Sequence, residues 1–382
     1  MTKRKWLGSL LNFFIPGLGN AYGRNLRKGI VTYLLFFLVA VGLRFVAYNF
    51  TMFLISVILI IGYYGYLIIS GYRDVQEDKE YQPARFDKWY VYLLVIIMHV
   101  VLVNSIKGRT LDKLTPINFA SIPTPAMDPA LMIGDILVYK KTKTIERNDV
   151  TLFWFPEDRQ TLYVKRCIGL PGDSLQIKRS VVLINGNQLI DTPRLKYRYL
   201  ASTDGEEINS RVLAKYKIDE SDFHRVSSDV YQFFLTTEQA EKLKGLSFLK
   251  SIELSLDSEG DPGNMIYPKS GKFNWNADFY GPIYIPKKGD KIELTENNIL
   301  LYLDCIEFEN ESVEKRASGL MINGQAITDY EFKENYFFMM GDNRHNSFDS
   351  RYWGFLPQDL VVGKTMYLYW GRDLDRIGKE VI

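Results

Sequence analysis

Cysteine and histidine are scarce: two of one and three of the other in 382 residues. Cys167 and Cys305 have no CxxC companion, which argues against a zinc site and leaves a single disulfide open. His99, His224 and His345 are scattered, so a histidine-based catalytic or metal centre is not expected. Charge of one sign is also missing, since 47 Lys and Arg face 45 Asp and Glu for a net +2. With no basic surplus to neutralise phosphates, nucleic acid is not expected as a partner. There is no low-complexity segment.

What is present is unevenly spread. Long aliphatic and aromatic runs are confined to the first 106 residues. A bilayer core of about 30 Å takes roughly 20 helical residues to cross, and three stretches suit that length: Ile30–Tyr48, Phe50–Tyr72 and Trp89–Ile106. Arg44 interrupts the first and can snorkel to the headgroups from a helix end. His99 in the third reads as a neutral ring packed against a neighbouring helix, and Trp89, Tyr90 and Tyr92 suit an interfacial anchor. Lys3, Arg4, Lys5, Arg24, Arg27 and Lys28 precede the first span with no acid among them, which puts the N-terminus in the cytoplasm. Three crossings then put everything after Ile106 outside. The loop Arg73–Lys88 is mixed in sign and decides little. Leu7–Ala21 is broken by Pro16 and glycines and has no small-residue cleavage site. It reads as an interfacial or re-entrant segment, not a removable leader; a fourth crossing there would weaken the orientation argument. "IPGLGNAYGRNLRKG" resembles the start of small two-helix membrane modules, which says little about function.

After Ile106 the pattern changes to short β-branched and aromatic runs punctuated by Gly, Pro and Asp, such as "DILVYKKT", "DVTLFWFP" and "VVGKTMYLYWG". "LINGN" at 183–187 and "MINGQ" at 321–325 each hold an Asn-Gly pair suited to a tight hairpin. Between these elements lies a more polar insertion, roughly 191–286. Its best helix candidate is "TTEQAEKLKGL" (236–246), and an aromatic return strand is expected within 273–290. The reading is a membrane domain over 1–106 and a mainly β domain over 107–382, with a sub-domain inserted at 191–286.

Three stretches carry chemistry. In "YVKRCIGLPGD" (163–173), alternation along a strand sends Lys165 and Arg166 to opposite faces, so one can be buried while the other stays wet. A lysine forced into an apolar pocket loses hydration and its pKa falls, leaving a neutral amine able to act as a general base. Taken alone, these residues fit an exposed lysine on an edge strand more readily. "MGDNRHNSFDSRYWGF" (340–355) gathers Asp342, Arg344, Asp349 and Arg351 around Ser347 and Ser350. That suits either a turn stitched by ion pairs or a platform for a catalytic group. "IPTPAMDPALMIGD" (122–135) precedes both.

In this order after a membrane anchor, the three stretches resemble the signature set of bacterial type I signal peptidases, over roughly Lys107 to the C-terminus. The resemblance implies a mostly β fold facing outward from the cytoplasmic membrane, where a serine–lysine dyad removes signal peptides from exported preproteins. It implies no metal and no cofactor, and partners limited to preprotein signal peptides, the lipid bilayer and the secretion machinery. Lys165 then matches the general base, Ser347 the hydroxyl that orients it, Thr124 an oxyanion contact, and Asp349 with Arg351 the structural pair. The departure is Ala126, which stands where the nucleophilic serine belongs and has no oxygen to attack a carbonyl. Thr124 is needed for the oxyanion, Ser121 lies five residues upstream, and Pro123 and Pro125 stiffen the approach against a slide of register. Two explanations stay open: a deliberately inactivated variant, or a natural paralogue that binds signal peptides or joins a secretion complex without cutting.

Overall fold

The computed structural model describes residues 3–46, 49–76, 88–106, 115–190, 194–205, 207–263, 265–316 and 319–381. Most of the loop Arg73–Lys88, the Arg44 side chain, and Lys107 and Asp191 at the expected domain limits lie outside the described residues. The chain divides into two compact units, Met1–Phe119 with Ile377–Lys379 and Ala120–Arg376 with Glu380–Ile382.

The first unit is helical. Leu7–Ala21 falls on two short helices, Lys5–Phe14 and Leu18–Tyr22, reversed at Gly17 with φ at +85°. At 1.5 Å per residue the first is only about 15 Å long, half of what a crossing needs. Both pack on the helix Phe50–Asp74, and glycine makes that approach possible. A methyl added to Gly71 would stand 2.4 Å from the Gly8 carbonyl oxygen. The buried Asn12 amide ties the three together, donating to Asn20 Oδ1 and the Leu67 carbonyl and accepting from Gly19 N–H. Trp6, Leu10, Phe13 and Phe14 of the first helix stay exposed.

Of the three expected spans, Phe50–Asp74 is the one helix among the described residues that is long and apolar enough to cross a membrane; Trp89–Val101 is a shorter apolar stretch. Leu26–Val46 is helical over 21 residues. His99 packs against that helix as the sequence suggested, its Nδ1 3.0 Å from the Tyr33 hydroxyl and its ring edge-on to Tyr33 and Phe37.

The second unit is mainly β. Six strands of its main sheet run in the order Ile136–Lys141, Val361–Trp370, Val150–Trp154, Leu162–Gly169, Tyr336–Met340, Leu356–Pro357. Alternation holds along Val361–Tyr367, where Val361, Gly363, Thr365 and Tyr367 point inward and Val362, Lys364 and Met366 between them are half-exposed. A four-stranded sheet beside it pairs Phe279–Tyr284, the expected return strand, with Ser174–Lys178 and then Val181–Ile184 and Asn187–Gln188. Both Asn-Gly pairs form their hairpin turns, with positive φ at Asn185 and Gly186 and at Asn323 and Gly324.

The insertion has a core of its own. Leu249–Leu254, Lys196–Thr203, Val230–Thr236 and Phe223–Arg225 form a four-stranded sheet whose Tyr231, Phe233 and Leu235 pack against Leu213, Ala240 and Leu243. Each large side chain buried there contributes about 2 kcal/mol. The expected helix is Thr237–Leu243, started by a capping box in which Thr236 and Gln239 bond reciprocally. The longest element outside the insertion that the sequence reading does not name is the helix Asn298–Glu309, which buries Ile299, Tyr302, Cys305 and Ile306.

Candidate active site

The three chemistry-bearing stretches converge in the second unit. Tyr336–Met340 pairs with Leu162–Gly169, the strand that carries Lys165, with Met340 opposite Arg166, so the loop Gly341–Asp349 starts one residue past that pair. Pro125–Met127 is a single turn of 3-10 helix. The loop grips it: Asn343 N–H donates to the Ala126 carbonyl at 3.1 Å, and Asn343 Nδ2 to the Pro125 carbonyl at 3.3 Å. Ala126 is buried and Thr124 is exposed.

Lys165 is 5% exposed. Its Nζ donates to the Val164 carbonyl at 3.2 Å and lies 5.3 Å from the centre of the Tyr163 ring. Burial lowers its pKa from 10.5 to about 8; the nearby charges of Asp349 and Asp342 pull the other way and do not cancel it. A neutral amine is therefore accessible near physiological pH.

Ser347 is buried, and its Oγ has no hydrogen-bond partner. No Lys165–Ser347 hydrogen bond is formed, although the resemblance implies one. Ser347 Oγ stands instead over Gly341, facing the Ala126 carbonyl side.

Arg166 corrects the expectation that one of the adjacent pair stays wet, being 2% exposed. Its guanidinium grips Asp342 at two points, Nε to Oδ1 at 2.7 Å and Nη2 to Oδ2 at 2.6 Å, and Nη1 donates to the Asn148 carbonyl. A bidentate partner and a carbonyl satisfy the fork, which makes burial of the charge tolerable. Asp349 and Arg351 are also a buried pair, Nε to Oδ1 at 2.9 Å and Nη2 to Oδ2 at 2.8 Å. Burial pushes the Asp349 carboxyl up, but the Arg351 charge and hydrogen bonds from Arg351 and Gly341 N–H hold it below its usual range. In "GLPGD", Asp173 accepts from Leu170 N–H and pairs with Arg147 at 2.9 Å, closing the turn after the Lys165 strand.

Several contributors had no local signal. Gly341 acts through its missing side chain, and Asn343 through its backbone N–H and its side-chain amide. Asp128, two residues past Ala126, is buried against Lys196 of the insertion, 68 positions away. Both cysteines are free and buried, so the disulfide left open by the sequence is not formed. Among the described residues no group of three or more His, Cys, Asp or Glu side chains is arranged to hold a metal ion.

The sequence pattern of the family described as "Signal peptidase, peptidase S26" matches residues 89–238 and 284–370. Its gap falls in the second half of the insertion. A protein named signal peptidase I from Buchnera aphidicola subsp. Schizaphis graminum (strain Sg) is 27% identical over 266 residues, covering 65% of this chain and 66% of its own. Signal peptidase I from Aquifex aeolicus (strain VF5) is 22% identical over 302 residues, 77% of this chain and 88% of its own. A probable thylakoidal processing peptidase 2 from Arabidopsis thaliana is 30% identical over 99 residues, 25% and 23% of the two chains.

Proposed function

Because the chain belongs to the signal peptidase family, peptidase S26, we propose that it is a membrane-anchored signal peptidase I in build, which with Ala126 in the nucleophile position holds a signal peptide without cutting it. The observation that carries this reading is Lys165: a buried lysine with its pKa lowered to about 8, one strand residue away from a loop that grips the turn of Ala126.

With a hydroxyl at residue 126 the steps balance. The oxygen attacks the scissile carbonyl while neutral Lys165 takes its proton, and the lysinium returns that proton to the leaving amine of the mature protein. An acyl-enzyme ester of the signal peptide remains. Lys165 then takes a proton from water, whose oxygen attacks the acyl carbonyl, and the lysinium returns that proton to the departing oxygen of residue 126, which frees the signal peptide with its new carboxylate. Thr124 and the backbone N–H of residue 126 are the donors for the oxyanion. Ser347, whose Oγ is unpartnered in this structure, is the hydroxyl available to orient the amine once substrate is bound.

Anchorage belongs to the same proposal. Ile30, Leu34 and Leu38 on Leu26–Val46 and Ile58 and Ile61 on Phe50–Asp74 are exposed apolar side chains that lipid would cover. Three crossings, with the basic N-terminus in the cytoplasm, put the β domain on the outer face. Protease treatment of spheroplasts should then digest the β domain, whereas digestion only in inverted vesicles would refute this orientation.

The enzyme reading is tested on the full chain in detergent with a preprotein substrate. Ala126→Ser should yield mature product on a gel, and adding Lys165→Ala should abolish it. Cleavage by the unmodified chain that survives Lys165→Ala would place the nucleophile elsewhere. No cleavage by folded Ala126→Ser on several preproteins would favour a protein that only binds.

A further inference from the structure

Lys196, 4% exposed, is another buried lysine, and the mechanism above does not use it. Its Nζ donates to Asp128 Oδ2 at 2.5 Å and to Asp222 Oδ2, with all three side chains nearly or wholly out of solvent. Its backbone is engaged as well. Lys196 N–H donates to the Asp342 carbonyl at 3.0 Å, and its own carbonyl accepts from Arg344 N–H at 2.9 Å. One residue thus reaches three structures: the loop on either side of Asn343, the turn two residues past position 126, and the inserted sub-domain through Asp222.

Stability alone does not account for this cluster. Taking a charge out of water costs several kcal/mol per ion, and apolar residues of similar volume in place of a buried ion cluster are often neutral or stabilising. Here one ammonium meets two carboxylates, and the second oxygens of Asp128 and Asp222 are buried with no hydrogen-bond partner. What such a cluster supplies is registry: the charges are satisfied in one relative placement of the three segments and are exposed to penalty in any other. The Asp128 backbone extends that registry, since its N–H donates to the Pro125 carbonyl at 3.0 Å, inside the turn that carries Ala126.

We infer that Lys196 is a positioning residue through which the inserted sub-domain fixes the turn carrying residue 126. The inference deepens the peptidase reading and rests on it. It gives the insertion a task at the site that its independent core does not by itself require. Burial raises the Asp222 carboxyl to about 6 against the opposing pull of Lys196, with Asp128 and Asp219 pushing the same way as burial, which agrees with a cluster under electrostatic load.

The test uses the full chain carrying Ala126→Ser. Lys196→Met should lower kcat roughly 100-fold, as a misplacement of about 1 Å does. KM should stay within about twofold and the pH inflection set by Lys165 should stay near 8. If Lys196→Met fails to fold, Asp128→Asn, which keeps the shape of the side chain but removes the charge that Lys196 grips, is read the same way. An unchanged kcat in either folded variant overturns the inference, and so does a loss confined to KM. Should Ala126→Ser itself cleave nothing, the peptidase reading falls, and positioning is read from alkylation. The thiol introduced by Ala126→Cys is titrated with iodoacetamide, the two native cysteines being buried. A change of about tenfold or more in that rate on adding Lys196→Met or Asp128→Asn supports positioning; an unchanged rate overturns it.

Discussion

A methyl group on Gly341 would stand 2.4 Å from the carbonyl oxygen of Ala126 and 2.2 Å from Ser347 Oγ. The obstacle on one side is backbone, which cannot swing away. Gly341→Ala is predicted to push the loop off the turn. In the Ala126→Ser chain it should cost about 100-fold or more in turnover, for the same geometric reason that small misplacements do. Steady-state kinetics alongside circular dichroism check this, and full activity in the alanine variant would show that the loop does not seat the turn.

Lys165 sets a pH dependence. Activity of Ala126→Ser should rise with pH and level off above about 8, as the folded-state amine loses its proton. The same depression affects stability. The folded chain releases the Lys165 proton near 8 and the unfolded chain near 10.5, so the unfolded state binds more protons between these values and stability rises with pH across that window. Below pH 8 the cost of the buried charge is present in full, on the order of 3 kcal/mol. Lys165→Met should therefore raise stability at pH 7 by a few kcal/mol while abolishing cleavage, and its advantage should shrink towards pH 10. Denaturant unfolding at three pH values measures it.

The Arg166–Asp342 pair predicts the opposite sign. Removing one partner of a buried ion pair leaves the other uncompensated and costs about 3–5 kcal/mol. Arg166→Leu should lower the midpoint of denaturant unfolding accordingly. The double variant with Asp342→Leu should recover part of the loss. A single variant as stable as the parent would mean that the pair is solvated.

Cys167 and Cys305 should resist thiol reagents in the folded chain, since burial pushes both thiols up and the thiolate is the reactive form. Ellman's reagent should count no reactive thiols in the native protein and two after denaturation without reductant. One or none after denaturation would indicate oxidation.

The legible parts of this molecule were those written in local pattern. Thr236 and Gln239 stand at the spacing of a capping box, and the Asn-Gly pairs announce their own turns. Lys165 was legible as a candidate base because it sits in an apolar strand, but only the neighbouring motifs tipped the balance against a surface lysine. Asn298–Glu309 could have been read from Ile299, Tyr302 and Ile306, whose spacing marks one helical face. Burial of Arg166 beside Lys165 is not legible locally, because its partner Asp342 is 176 positions downstream. Lys196 carried no signal for the same reason: "RLKYRYL" looks like any strand, and what makes its lysine unusual is supplied by Asp128 and Asp222 through tertiary pairing.

The grip of Asn343 on the turn of Ala126 has a bearing on biosynthesis. Donor and acceptor of its side-chain contact are 218 positions apart, and Lys196 and Asp222 must also be in place before the turn is braced on both sides. Contacts of such long range form late, because the intervening chain must be closed into a loop first. A ribosome-bound chain therefore carries residue 126 on an unbraced turn for most of its synthesis. The site is assembled only when nearly the whole polypeptide has emerged, and a chain cut short before residue 341 has none.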